Sequence, residues 1–212
     1  MAKFGLLRNK YWILRHGKSI PNEKGLIVCS LENGVLSEYQ LAVEGVLKEN
    51  NIPIENVRIC YSPFSRTRHT AQVAASVLNI SLESPQCKVM EELRERFFGP
   101  SFELQSHERY ADIWDHDEKG PLMKPEEGGE SVADVASRLA TAVETIEKDF
   151  QGCAVLIVSH GDPLQILQTI ISATDKAPGE DFKTRVDGVK VASILSQHRK
   201  FALHTGELRQ LV

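Results

Sequence analysis

The chain has 212 residues, a formal net charge of −4 at pH 7 and a charged-residue content of 25%. This length suits one domain with a sizeable core, and the mildly acidic balance argues against a nucleic-acid or membrane-surface binder. The longest strictly apolar run, residues 153–158, is far shorter than the roughly 20 residues that span a bilayer. We therefore expect a single globular domain over residues 1–212, without a membrane segment.

The four cysteines lie far apart in the sequence, and none of them belongs to a Cys-x-x-Cys pair. This spacing supports neither a zinc site nor a redox motif, so free thiols in a reducing compartment are expected. The N-terminal sequence carries no apolar signal-peptide core. The sequence therefore predicts a cytoplasmic protein.

The first predicted element is a buried strand at residues 11–14, which runs directly into Arg15, His16 and Gly17. Open α/β sheets bind their ligands beyond the carboxyl ends of the strands, and a glycine there lets a ligand approach the backbone. The strand is thus expected to bring a cation and an imidazole to a ligand site. Residues 19–38 are predicted to form a surface loop beside it.

A second strand is predicted at residues 57–61, and a helix follows it to about residue 79. The turn between them is expected to place Arg66 at a helix N-terminus, where backbone amides favour anions. Arg68 and His69, further along this helix, are interpreted as solvated side chains. A short helix is predicted over residues 41–50. It is short for the helix that connects two parallel strands, so either the helix is truncated or residues are missing from the sequence at this point.

The middle of the chain combines charge with aromatic residues. Residues 80–90 are predicted to form a short edge strand or extended segment. Glu95 lies in a charged run that ends in Phe97 and Phe98, and two interpretations stay open: an exposed charged turn, or an acid with a tuned pKa. Residues 100–127 are predicted to be a partly helical insertion that covers the site.

The last third begins with an amphipathic helix, predicted over residues 131–150 with a capping box at its start. Another buried strand is predicted at residues 153–158, and it leads into His160 and Gly161. Two strands that each end in His-Gly are much less expected by chance than one. Together with His16, this second histidine indicates chemistry rather than structure alone.

The elements after the second histidine are less regular. Asp162 and Pro163 are predicted to be the N-cap and first residue of a helix to about residue 171. Residues 173–187 are predicted to form a loop, and residues 189–195 the last strand. The basic cluster that begins at His198 is interpreted as surface.

The groups predicted at strand ends share one chemical preference. Arg15, Arg66 and the histidines are cations or potential cations, and guanidinium groups match the oxygens of a phosphoryl group. The sequence contains neither a Gly-x-x-x-x-Gly-Lys-Ser/Thr loop nor a Gly-x-Gly-x-x-Gly turn, and its histidines lack carboxylates at metal-ligand spacing. We therefore expect a small phosphorylated substrate, no metal and no cofactor.

These residues resemble the histidine phosphatase superfamily, also called phosphoglycerate mutase-like, over nearly the whole chain. The chain looks most similar to small plant phosphoglycerate mutase-like proteins. The resemblance implies an α/β fold, a three-layer α/β/α sandwich with a mostly parallel central sheet. The motifs that carry it are Leu14-Arg15-His16-Gly17 with Asn22, Ser62-Pro63-x-x-Arg66, Leu93-x-Glu95-x-x-x-Gly99, Gly128-Gly129-Glu130-Ser131 and Ser159-His160-Gly161.

The resemblance also implies a role for each motif residue. His16 would attack phosphorus and form a phosphohistidine, while His160 would help to hold the phosphoryl oxygens. Glu95 would give a proton to the leaving oxygen, which requires a raised pKa. The phosphate-binding residues that it implies are Arg15, Asn22, Arg66 and Gly161.

The function expected from this resemblance is a metal-independent phosphomonoesterase that acts on a small phosphorylated metabolite through a phosphohistidine. Two alternatives stay open. The first is a cofactor-dependent phosphoglycerate mutase, although such enzymes usually have a longer insertion between the acid and the Gly-Gly-Glu-Ser motif than this chain has. The second is a catalytically silent scaffold, which would bind phosphorylated ligands without turnover. The resemblance leaves a homodimer open and implies no nucleic-acid or membrane partner.

Overall fold

A five-stranded sheet forms the centre of the computed structural model, which describes residues 7–29, 36–38 and 50–211. The strand order is β5-β4-β6-β1-β7; neighbours are parallel except β7, which runs antiparallel to β1. A separate antiparallel pair consists of β2 and β3. The strands are β1 (Lys10–Arg15), β2 (Lys18–Ser19), β3 (Leu36–Glu38), β4 (Val57–Tyr61), β5 (Cys87–Val89), β6 (Ala154–Ser159) and β7 (Leu208–Gln210).

Helices cover both faces of the central sheet. Side chains alternate along a strand, so Tyr11 and Ile13 of β1 face one side while Trp12 and Leu14 face the other. The first side packs against α4, α5 and α6, and the second packs against α2. The helices are α1 (Ile20–Glu23), α2 (Ser65–Val77), α3 (Tyr110–Lys119), α4 (Val132–Asp149), α5 (Gly161–Thr174), α6 (Phe182–Val189) and α7 (Ala192–Leu195).

This arrangement confirms the predicted three-layer α/β/α sandwich with a mostly parallel sheet. The predicted capping box of the long helix is also present: the Ser131 hydroxyl accepts from the Asp134 amide at 3.0 Å, and the Asp134 carboxylate accepts from the Ser131 amide at 2.9 Å. In the part of the chain that the structure describes, no helix combines the length and apolar character needed to cross a membrane.

The register of the central strands sets the position of the site. Arg15, the last residue of β1, pairs with Ser159, the last residue of β6. The two strands are parallel, so the next residues, His16 and His160, leave the sheet side by side. β4 ends one position earlier against β6, and the Ser62 amide donates to the Val158 carbonyl oxygen at 3.1 Å. The turn toward α2 therefore begins at the same edge of the sheet.

The predicted last strand is wrong. Within residues 189–195 the chain ends α6 and forms α7, and most of α6 lies in the segment predicted to be a loop. The Asp181 side chain caps α6 by accepting from the Thr184 amide at 2.7 Å. A short apolar run such as residues 189–195 does not distinguish strand from helix by its periodicity. The last strand is instead β7, which adds an antiparallel edge to β1.

Two more predictions need correction. Residues 19–38 were expected to form an irregular loop, but they include α1 and β3. The predicted extended segment over residues 80–90 contains a strand only at its end, in β5. The short helix predicted over residues 41–50 lies, except for residue 50, outside the described residues.

Candidate active site

The two strand-end histidines form the base of the site. The ring centroids of His16 and His160 lie 5.3 Å apart, with an angle of 64° between the ring planes. His16 is 2% exposed and His160 is fully buried. The sheet register thus brings together two imidazoles that are separated by most of the chain in sequence.

Arg66 joins these two rings. It lies in the first turn of α2, which begins where β4 leaves the sheet, and it is buried. Its Nε donates to Nε2 of His16 and to Nδ1 of His160, both at 3.2 Å, while its Nη2 donates to the Val28 carbonyl oxygen at 3.0 Å. One guanidinium group therefore fixes the orientation of both imidazoles.

The hydrogen bonds assign a tautomer to each ring. Nδ1 of His16 lies 2.7 Å from the Gly17 carbonyl oxygen, which only accepts, so Nδ1 carries the proton and Nε2 carries a lone pair. In His160, Nδ1 accepts from Arg66, and Nε2 donates to the Ser62 hydroxyl at 2.8 Å. Burial, followed by the charge of Arg66, lowers the pKa of both histidines well below the ordinary value. His16 therefore offers an unprotonated Nε2.

Glu95 lies beside this pair. Its Oε2 is 3.6 Å from Nδ1 of His160 and 3.7 Å from Nη2 of Arg66, and its side chain is largely buried. For Glu95 itself, the interpretation as part of an exposed turn is therefore wrong. Burial raises the pKa of Glu95 to about 7; the charge of Asp162 adds to the rise, and that of Arg66 opposes it. The carboxyl group can therefore hold or release a proton near neutral pH.

Arg15 and Gly161 meet at the start of α5. Nη1 of Arg15 donates to the Leu203 carbonyl oxygen at 2.6 Å, whereas its buried Nε has no hydrogen-bond partner among the described residues. A Cβ at Gly161 would lie 3.3 Å from Cζ of Arg15, so a larger residue would press on the guanidinium group at its present position. A buried donor without an acceptor costs stability, and an anion in the cleft would supply the acceptor.

Asn22 also reaches the site, but part of its side chain is already engaged. Its Oδ1 accepts from the Ser19 hydroxyl at 2.8 Å and from the Ser19 amide at 3.2 Å, which caps α1. The cap holds Asn22 at the wall of the cleft. Six of the seven predicted site residues therefore line one cleft. The seventh, His160, contacts the lining residue Arg66.

The cleft has a volume of about 290 Å³, at the lower end of the range for small-molecule pockets. The segment predicted to cover the site, residues 100–127, contributes three side chains to it, and α3 within it makes the segment partly helical as expected. The lining residues are Arg15, His16, Ser19, Pro21, Asn22, Leu26, Val28, Arg66, Glu95, His107, Tyr110, Trp114, Gly161, Asp162 and Gln165.

A buried ion network supports the site, and the sequence did not reveal it. Arg96 is fully buried and donates twice to the Asp117 carboxylate, both at 2.7 Å, and once to Asp162 at 3.2 Å. Because Arg96 follows Glu95 directly, this network ties Glu95 to α3 and to the first turn of α5. The Arg96 amide also donates to Oε1 of Glu95 at 3.0 Å.

His198 completes the network and corrects two predictions. It is fully buried rather than on the surface, and its Nε2 lies 3.4 Å from Oδ1 of Asp162. Asp162 is not the N-cap of α5, because His160 occupies that position and frees the Asp162 carboxylate for pairing. Although burial opposes both shifts, this pairing raises the pKa of His198 and lowers that of Asp162.

Arg96 is expected to be important for stability. The Arg96→Met variant should lower the free energy of unfolding by about 3–5 kcal/mol, because the buried Asp117 carboxylate and the largely buried Asp162 carboxylate lose their guanidinium partner. Urea unfolding of the variant against the wild-type protein measures the change. Arg68→Met, at an exposed position of α2, is the matched control and should change stability by less than about 0.5 kcal/mol. Equal stability of the two variants would contradict the network.

Comparison with known families identifies the class of protein. The family model for the histidine phosphatase superfamily (branch 1) matches residues 11–207. The chain therefore belongs to the histidine phosphatase superfamily. The nearer resemblance to small plant phosphoglycerate mutase-like proteins stays a prediction.

Solved structures share this fold. A mycobacterial glucosyl-3-phosphoglycerate phosphatase, solved with VO3, has a TM-score of 0.66 at 21% identity and covers 95% of this chain and 92% of its own. YhfR of Bacillus stearothermophilus gives a TM-score of 0.59 at 26% identity, with 80% and 81% covered. The alpha-ribazole phosphatase of Shigella flexneri gives 0.57 at 19% identity, with 94% and 88% covered. A search of curated protein sequences gives no match.

Proposed function

We propose that this protein is a metal-independent phosphomonoesterase that acts on a small phosphorylated metabolite through a phosphohistidine at His16. The observation that supports the proposal most strongly is the group formed by two neutral imidazoles, the Arg66 guanidinium between them and the Glu95 carboxyl group beside them. This group offers a nucleophile, a cation for the phosphoryl oxygens and an acid within one cleft.

In the first step, Nε2 of His16 attacks phosphorus, and the bond between phosphorus and the ester oxygen breaks on the opposite side. Glu95, protonated in a large fraction of molecules because its pKa is about 7, gives its proton to the leaving oxygen. Arg15 and Arg66 stabilise the charge on the transferring group. The products are a phosphohistidine, a free alcohol and an ionised Glu95.

In the second step, a water molecule attacks the phosphohistidine. Ionised Glu95 accepts a proton from this water, and the bond between phosphorus and Nε2 breaks, which restores neutral His16 and protonated Glu95. The negative charge of a bound phosphoryl group raises the pKa of a nearby imidazole. His160 can therefore become a hydrogen-bond donor to the phosphoryl oxygens once substrate is present, although its pKa is low in the free enzyme.

The acid role of Glu95 predicts a pH dependence. For esters with poor leaving groups, kcat/KM should fall by about tenfold per pH unit above roughly pH 7, since only the protonated carboxyl group can donate. Initial rates measured from pH 5 to pH 9 test this result. 4-Nitrophenyl phosphate, whose leaving group needs little protonation, should show a much weaker decline. An equal decline for both esters would exclude Glu95 as the source of the pH dependence.

Phosphate release from a panel of phosphomonoesters, with and without EDTA, tests the proposed function. We expect release that EDTA does not reduce. Loss of release in EDTA would exclude the metal-independent mechanism. Transfer of the phosphoryl group to a second phosphoglycerate molecule, without release of phosphate, would show a mutase. Binding of phosphate esters without any turnover would show a phospho-ligand scaffold.

The proposed cellular location is the cytoplasm. All four cysteines are free thiols in the structure, which suits a reducing compartment.

A further inference from the structure

One wall of the cleft is aromatic. Tyr110 and Trp114, one turn apart on α3, have ring centroids 5.8 Å apart and ring planes only 11° from parallel. His107 also lies beside Tyr110, with a centroid distance of 5.6 Å. The three rings line the same cleft as His16 and Arg66. They therefore offer aromatic surface to the part of the substrate that is attached to the phosphoryl group.

Contacts with neighbouring residues hold these rings in place. Phe98 meets Tyr110 edge to face, with centroids 5.7 Å apart and an angle of 88° between the planes. The guanidinium carbon of Arg199 lies 3.7 Å from the centroid of the Trp114 ring. Nε2 of His107 donates to the Leu26 carbonyl oxygen at 2.7 Å. A wall fixed in this way loses little side-chain entropy when a ligand binds.

The charges of the cleft are concentrated at its phosphate end. Among the described lining residues, the only arginine or lysine side chains are those of Arg15 and Arg66, both beside the strand-end histidines. The cleft lining also includes the apolar residues Leu26 and Val28. Lys18, adjacent to the lining residue Ser19, lies 3.7 Å from the Glu23 carboxylate. The described lining residues thus offer two guanidinium groups to the phosphoryl group of a substrate. They offer no further cation to a second anionic group on the same substrate.

We infer that the substrate is a monophosphate ester whose alcohol part carries an uncharged aromatic ring, bound against Tyr110 and Trp114. This inference rests on the proposed phosphatase function. Aromatic rings gain from offset or edge-to-face contact beyond the area that they bury. A carboxylate or a second phosphate at the same position would lie against rings and apolar side chains, and the Arg199 guanidinium, outside the cleft lining, already lies over the Trp114 ring.

A matched pair of esters tests the ring directly. 2-Phenylethyl phosphate and 2-cyclohexylethyl phosphate have leaving groups of similar size and basicity, so they differ mainly in aromatic character. We expect kcat/KM to be about 3- to 10-fold higher for the phenyl ester, by the usual size of aromatic contacts. 3-Phosphoglycerate, which carries a carboxylate, should be the poorest of the three substrates.

Two variants locate the effect. Trp114→Leu should bring the phenyl-to-cyclohexyl ratio of kcat/KM to about 1, because the aromatic contact is lost. Phe102→Leu, in the same segment but outside the cleft lining, should keep the wild-type ratio. A wild-type ratio of 1 or less, a preference for 3-phosphoglycerate, or an unchanged ratio in Trp114→Leu would overturn the inference.

Binding of inert analogues separates this inference from the proposed function. 3-Phenylpropylphosphonate and 3-cyclohexylpropylphosphonate replace the ester oxygen by carbon, and calorimetry gives their affinities without turnover. Tighter binding of the phenyl analogue without hydrolysis of either ester would overturn the phosphatase proposal and retain the aromatic site. Hydrolysis of both esters with equal affinity for the two analogues would overturn the aromatic site and retain the phosphatase.

Discussion

Replacing His16 with alanine should lower kcat for phosphate release by at least about 10⁴-fold, the scale of loss found when the nucleophile of a covalent mechanism is removed. The structure gives the reason: Nδ1 of His16 donates to the Gly17 carbonyl oxygen, so Nε2 is the unprotonated ring nitrogen. Alanine leaves Arg15 and Arg66 in the cleft but offers no atom that can take the phosphoryl group.

The control for this variant is His69→Ala, at an exposed position of α2, which should retain wild-type kcat. His160→Ala distinguishes the two histidines of the site. It should bind phosphate esters more weakly yet still form a phosphoenzyme. If His160→Ala instead abolishes the phosphoenzyme while His16→Ala retains it, the assignment of the nucleophile is reversed.

Replacing Glu95 with glutamine should have the second largest effect, and its size should depend on the leaving group. For esters of simple alcohols, kcat should fall by about 10²- to 10⁴-fold, because glutamine fills the same space but cannot donate the proton. The glutamine oxygen can still accept from the Arg96 amide, as Oε1 of Glu95 does at 3.0 Å, so the loop should keep its position. For 4-nitrophenyl phosphate the loss should be much smaller.

Glu91 supplies the matched control, since it lies in the same charged run but is exposed. Glu91→Gln should retain wild-type kcat with both kinds of ester. Equal losses for good and poor leaving groups in Glu95→Gln would show that the carboxylate acts by charge or position rather than as a proton donor.

The site could be predicted because its parts follow directly from local sequence. His16 and His160 each lie just after a buried apolar run, and Arg66 lies five residues after the end of β4, the strand beside β6. In a parallel sheet such positions meet at one edge, whatever the details of the connections. The sequence alone could not show that Nε of Arg66 lies 3.2 Å from both rings, because that distance depends on the side-chain conformations.

The supporting network could not be predicted, because its members have no local pattern. Arg96, Asp117 and His198 lie on segments that are distant in sequence and each resembles an ordinary surface residue. The prediction for Asp162 is wrong because Asp before Pro is a frequent helix start, whereas the helix here begins two residues earlier, with His160 as its cap. Burial of a charged residue depends on tertiary packing, and only the folded chain shows that Asp162 has Arg96 as its partner.

The central claim is that the phosphoryl group passes through Nε2 of His16. Rapid quenching of the wild-type enzyme during turnover of a substrate with a radiolabelled phosphoryl group tests it most directly. We predict a label on the protein that is stable in alkali and labile in acid, that maps to the peptide containing His16 and that is absent in His16→Ala. Phosphate release without any labelled protein intermediate, or a label on another residue, would contradict the account.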